Sequence, residues 1–78
     1  MPLTDRERAL LVFERHWWRY GATRADAARA HFGLAGPEHR RIVGALIDRA
    51  EAHEHDPVLV RRLRRMRATH RAERRAAA

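Results

Sequence analysis

The chain contains no cysteine, no lysine and no serine. Lacking cysteine, it can form neither a disulfide nor a thiolate zinc site, two of the usual props of a small fold, and the lack fits a reducing cytoplasm. Lacking serine as well, it is short of common nucleophiles. Its aliphatic hydroxyls are Thr4, Thr23 and Thr69, placed to serve as two helix caps and a tail residue. No apolar run approaches the roughly 20 residues of a membrane span. The opening MPLTDRERAL puts charges where a secretory leader needs an apolar segment. Glycine is scarce, and GLAG at 33–36 is not a phosphate-cradling G-x-G-x-x-G, nor does a strand precede it. Seventy-eight residues make one small domain, too short to wall off a substrate pocket. Together the absences predict a cytoplasmic protein that is not an enzyme, uses no cofactor, takes no small-molecule ligand and has no membrane partner.

What the chain has in abundance is arginine. All 17 basic residues are Arg, beside 15 Ala, a composition that a high-GC genome also favours. The planar guanidinium grips phosphates and guanine edges in a two-pronged way that an ammonium cannot. The charge is lopsided. Residues 1–56 hold nine Arg and nine Asp or Glu, which cancel; residues 57–78 hold eight Arg and one Glu, the whole of the net +7. A basic cluster of this kind points to a polyanion, most often nucleic acid, with an anionic membrane surface as the other option. Eight guanidiniums facing one acid repel one another, and phosphate relieves that repulsion while releasing counterions. Carboxylates from the rest of the chain could instead pair with part of the cluster.

The spacing of apolar residues predicts an all-α fold: a three-helix helix-turn-helix domain over 1–56, with helices at about 5–20, 23–32 and 36–52, and a basic fourth helix with a frayed tail over 57–78. Thr4 and Glu7 form a capping box. Leu10, Phe13, Trp17 and Tyr20 then recur along one helical face until Gly21. Thr23 opens the second helix, which brings Phe32 inward, and Gly33 closes it. Leu34 plugs the bend, Pro37 suits a first helical turn, and Ile42, Val43, Leu46, Ile47 and Ala50 form the third buried stripe. The expected core comprises Leu10, Phe13, Trp17, Phe32, Leu34, Ile42 and Leu46. After a polar break, EAHEHDP, Asp56 and Pro57 start the basic helix, whose inward stripe is Leu59, Leu63, Met66 and His70.

Two clusters admit sharper readings. HEHD at 53–56 offers imidazoles and carboxylates, but His53 and His55 two apart diverge on a helix, so it reads as a helix end and cap with no metal. In HWW at 16–18 the two Trp cannot face one core. Trp17 continues the stripe, and Trp18 is left for the fourth helix, a dimer contact or an Arg.

The bend itself has the elements of a DNA reader: Ala28 as small residue, Gly33 at the turn, Leu34 as plug, and Arg40 and Arg41 on the first turns after it. The usual small position, four before the turn glycine, is Arg29. His39 falls where such motifs are apolar, which predicts a half-buried imidazole. The plain alternative is a helical hairpin with a solvated charged face.

The segments FERHWW, HFGL, ALIDR and DPVLVRRLRR, spread over about residues 3–68, resemble a family of small actinobacterial proteins of unknown function. The resemblance implies one helix-turn-helix DNA-binding domain, similar to the promoter-reading region 4 of sigma factors, in a chromosome-associated or regulatory protein without enzymatic role. Relatives often carry Ser-Ala-Thr-Arg-Tyr-Tyr after the turn, where this chain has Ala35, Gly36, Pro37, Glu38, His39 and Arg40.

The expected partner is double-stranded DNA, at the nucleoid, with Gly36, Pro37, Glu38, Arg40 and Arg41 facing the major groove. Thr23, Arg24, Arg61, Arg62, Arg64 and Arg65 are the expected phosphate contacts. A homodimer would cover the Trp18 side and any surplus of the Leu59, Leu63, Met66 stripe. A protein-binding module for the transcription machinery, or an RNA binder, would use the same charge.

Overall fold

Thr4 starts the first helix with a reciprocal cap. Its hydroxyl accepts from the Glu7 amide at 3.0 Å while its own amide donates to Glu7 Oε1 at 2.8 Å, satisfying amides that a helix start leaves open. The computed structural model describes residues 1–77. Helix α1 runs Asp5–His16 and continues into a single 3-10 turn, Trp17–Arg19. The others are α2 Arg24–Phe32, α3 Gly36–Leu46, α4 Ala50–His55 and α5 Pro57–Ala77, with no strand among the described residues.

The 3-10 turn corrects the expectation of one helix over 5–20. Each of its residues advances about 120° rather than 100°, so the stripe that begins at Leu10 and Phe13 slips off the core. Trp17 is half-buried, packed on the edge of a small cluster of Phe13, Ala27 and Ala28, and Tyr20 is exposed. Gly21 follows because α2 comes very close: a Cβ there would lie 2.8 Å from the Ala27 amide nitrogen. Thr23 caps α2 by accepting from the Asp26 amide at 3.0 Å. Gly33 ends α2 in the left-handed region at φ 69°, where a side chain is disfavoured.

The helix expected over 36–52 is broken. After Leu46 the backbone tightens, with Asp48 and Arg49 donating back three residues to Ala45 and Leu46, and Arg49 is extended before α4 begins. No glycine or proline marks the break. It is held from a distance: Arg49 donates to Glu7 Oε2 and to the Met1 carbonyl, both at 2.5 Å. Ala50, assigned to the buried stripe, is therefore exposed, whereas Ala52 is buried. The polar break at EAHEHDP is itself the helical turn α4, and Asp56 then caps α5, accepting from the Leu59 amide at 3.3 Å.

Helix α5 is not an appendage to a three-helix core. Leu59, Val60 and Leu63 join Leu3, Leu10, Leu11, Leu34, Val43, Leu46, Ile47 and Ala52 in the main buried cluster. Phe32 and Ile42 pack on its edge, half-buried. The segment expected to fray is helical to Ala77, in keeping with the high helix propensity of its Ala and Arg; Ala78 lies outside the described residues. Met66, expected inward, is 40% exposed. No helix among the described residues is long and apolar enough to cross a membrane.

Candidate nucleic-acid interface

Six of the ten acidic residues are held by cations inside the fold. Asp5 pairs with Arg8, Glu7 with Arg49, Glu14 with Arg24, Asp48 with Arg67, Glu51 with the N-terminal ammonium, and Asp56 with Arg15. Only one of these pairs, Asp48–Arg67, draws on α5, so the carboxylates of the other helices neutralise little of the basic segment. The partners leave their mark on the carboxyls. The Arg67 fork holds Asp48 below the usual carboxylate range, the Arg15 fork does the same for Asp56, and the N-terminal ammonium takes Glu51 down to about 2.

The eight arginines of α5 divide by what they touch. Arg64 Nε donates to the Ile47 carbonyl at 2.8 Å, and Arg67 Nη1 to the Gly44 carbonyl at 3.1 Å. Both acceptors stand at the C-terminal end of α3, where a helix leaves its carbonyls open and its dipole favours cations. Arg62 reaches the Glu14 carbonyl, a long contact at 3.5 Å. Arg61, Arg65, Arg71, Arg74 and Arg75 make no hydrogen bond or ion pair among the described residues. Of the four expected phosphate contacts on this helix, Arg61 and Arg65 are thus free, Arg62 is exposed and lightly tethered, and Arg64 is half-buried in a structural role.

The basic side chains of α5 do not share one face. Taking about 100° per residue, Arg67, His70, Arg71 and Arg74 fall on the side of α5 that continues Leu63, whereas Arg61 and Arg65 fall on the opposite side. The first set lines a cleft of about 410 Å³ between α5 and α3. Its other wall carries Arg24, Arg40 and Arg41; the exposed Met66 contributes apolar surface, and the buried Val43, Ile47 and Leu63 lie beneath. Reasoning from sequence did not single out Arg67, Arg71 and Arg74, and it set His70 on the inward stripe, whereas His70 is exposed. Their common face was open to a helical-wheel count, but the place of α3 opposite them was not.

On α3, Pro37, Glu38, Arg40 and Arg41 are exposed and Gly36 is partly covered. A Cβ at Gly36 would come 3.4 Å from Arg40 Nη1, so the Arg40 side chain lies back along the start of its own helix. Arg40 and Arg41 have no internal partner among the described residues. At the start of α2, Thr23 is engaged as the cap, and Arg24 is engaged by Glu14 through Nε and Nη2 at 2.7 and 2.8 Å. Its Nη1 takes part in no hydrogen bond among the described residues, and the side chain, 25% exposed, forms part of the cleft wall.

Glu14 is the residue that sequence reasoning did not single out. Its carboxylate is 1% exposed and meets Arg24 from α2 and His39 from α3, whose Nε2 is 3.0 Å from Glu14 Oε1. Close as the two atoms are, Nε2 makes no hydrogen bond among the described residues; the approach is a polar contact buried in the fold. Burial pushes the Glu14 carboxyl up, and His39 and Arg24 more than reverse the push, so it sits below its ordinary value. His39, expected half-buried, is fully buried with its ring against the edge of Phe13 at 5.6 Å.

Across the curated proteins and the solved structures no match is found. The family described as "Protein of unknown function (DUF3263)" matches residues 2–75, and the chain belongs to that family.

Proposed function

We propose that the protein binds double-stranded DNA, as a nucleoid-associated protein or a transcriptional regulator, with the first half of α3 in the major groove and arginines of α5 on backbone phosphates. The observation that carries this reading is the set of unpartnered guanidiniums on both helices: Arg40 and Arg41 on α3, Arg71 and Arg74 across the cleft from them. Left without counter-charge they repel one another, and a phosphate backbone is the polyanion that offsets this.

The helix-turn-helix reading draws support from the link between α2 and α3. It consists of Gly33, Leu34 and Ala35, with Gly33 left-handed and Leu34 buried as the plug, the length and chemistry such motifs use. The small contact on α2 is supplied by Ala28, fully buried, while Arg29 one place on points to solvent. In this reading Arg40 and Arg41 reach guanine O6 and N7, with Pro37 and Glu38 beside them at the groove edge.

A second reading, a module that docks on an acidic surface of the transcription machinery, draws on Arg61 and Arg65, which point away from α3. Titrating duplex DNA, RNA and an acidic protein at several salt concentrations separates the two. A steep salt slope with duplex preference is expected; no duplex binding at low salt overturns the first reading. Genome-wide occupancy then distinguishes the roles: thousands of short-motif sites for a chromosome organiser, a few promoters for a regulator.

A further inference from the structure

The geometry points to a seat for consecutive phosphates in the cleft between α3 and α5, with Asp48 as the built-in competitor that holds Arg67 until phosphate replaces it. The source of those phosphates, a nucleic-acid strand, rests on the proposed function; the chemistry of the seat does not.

Arg67, Arg71 and Arg74 stand on one stripe of α5 and span about 10.5 Å at 1.5 Å per residue, room for more than one phosphate. Arg40 and Arg41 face them, and Arg24 is braced in place by the buried Glu14. A braced guanidinium loses less freedom on binding than a loose one.

Among the described residues Asp48 is the one carboxylate on the cleft wall. Its two oxygens accept from Arg67 Nη1 and Nη2 at 3.1 and 2.8 Å, the same two-pronged arrangement that a phosphate offers. The Asp48 side chain is 60% exposed, and exposed pairs of this kind are weak. Arg67 keeps its second contact, the Gly44 carbonyl, so its guanidinium stays in the cleft when Asp48 lets go. Met66, 40% exposed, adds apolar surface to the cleft lining, which suits the carbons of a sugar and favours a sugar–phosphate strand over a free polyphosphate.

The test uses the full chain in two arms. Inorganic triphosphate is titrated while backbone amide resonances are followed; shifts are expected around Gly44, Asp48 and Arg71, not around Arg61 and Arg65. Duplex affinity is then measured at fixed salt for Arg71→Ala with Arg74→Ala, and for the charge-matched pair Arg61→Ala with Arg65→Ala. The cleft pair is expected to weaken binding about tenfold more than the far-side pair, the scale of losing close phosphate contacts. Asp48→Asn is expected to tighten binding about threefold more than Glu54→Gln, which removes the same charge from an exposed site with no ion pair among the described residues. Equal losses for the two arginine pairs, or equal effects of the two neutralised acids, would reduce the cleft to net charge and overturn the proposal. Triphosphate shifts in the cleft without duplex binding would leave the seat standing and remove DNA as its occupant. Duplex binding with no response in the cleft would do the reverse.

Discussion

Glu14 and Arg24 face each other as a two-pronged ion pair, 2.7 and 2.8 Å apart, with the carboxylate 1% exposed. A carboxylate so placed is costly to leave alone, because its hydration has gone and only its partners replace it. The pair joins α1 to the start of α2, and His39 extends it to α3.

Replacing Glu14 with Ala strips the partner from Arg24 and His39 together. We expect a loss of about 3–5 kcal/mol, the scale of breaking a buried pair from one side, measured by urea unfolding. A loss below about 1 kcal/mol would mean that water reaches the site.

The same carboxylate makes stability depend on acid. Folding lowers the Glu14 carboxyl from an ordinary value of 4.5. A group depressed by folding contributes its full stabilisation above the unfolded value and loses it as pH falls through the folded one. Glu7, Asp48 and Asp56 are shifted in the same direction. Below about pH 4.5 the melting temperature should therefore drop steadily. Glu14→Gln should start lower and fall less steeply between pH 4.5 and 2; parallel curves would show that Glu14 is not the group being titrated.

Two glycines should respond differently to alanine. Gly33→Ala meets no atom within 4 Å but must adopt φ 69°, a cost of about 1 kcal/mol. Gly21→Ala places a Cβ 2.8 Å from the Ala27 amide, so backbone must move, and the destabilisation should exceed that of Gly33→Ala in thermal unfolding. The reverse order would argue against the close approach of α2.

Arginines on α5 should separate structure from binding. Arg64→Ala removes a cap on the Ile47 carbonyl and should cost about 1 kcal/mol of stability. Arg61→Ala should leave unfolding unchanged. In DNA binding, Arg40→Ala should relax base preference, whereas Arg62→Ala should weaken all sequences alike and reduce the salt slope by about 1. Identical behaviour of Arg40→Ala and Arg62→Ala would remove the division between base and phosphate contacts.

What could be read from sequence was what short-range chemistry decides. Thr4, Thr23 and Gly33 cap helices through partners within four residues, and Asp56 with Pro57 starts α5 in the same local way. What escaped was decided at a distance. The break after Leu46 carries no glycine or proline and depends on Arg49 reaching Glu7, 42 residues away. The slip at Trp17 follows from a change of helix type that apolar spacing does not encode. His39 looked like a misfit on α3 because its partner, Glu14, belongs to another helix. The Arg-rich run declared its charge but not which of its cations would be engaged by carbonyls of α3.

Those carbonyls bear on how the chain can be handled. Arg64 and Arg67 reach from α5 to the last turn of α3, and Leu59, Val60 and Leu63 fill the same interior. Cutting the chain before Pro57 would therefore yield a segment with an open interior and a loose third helix. Transplanting α3 into another scaffold would need α5 to travel with it.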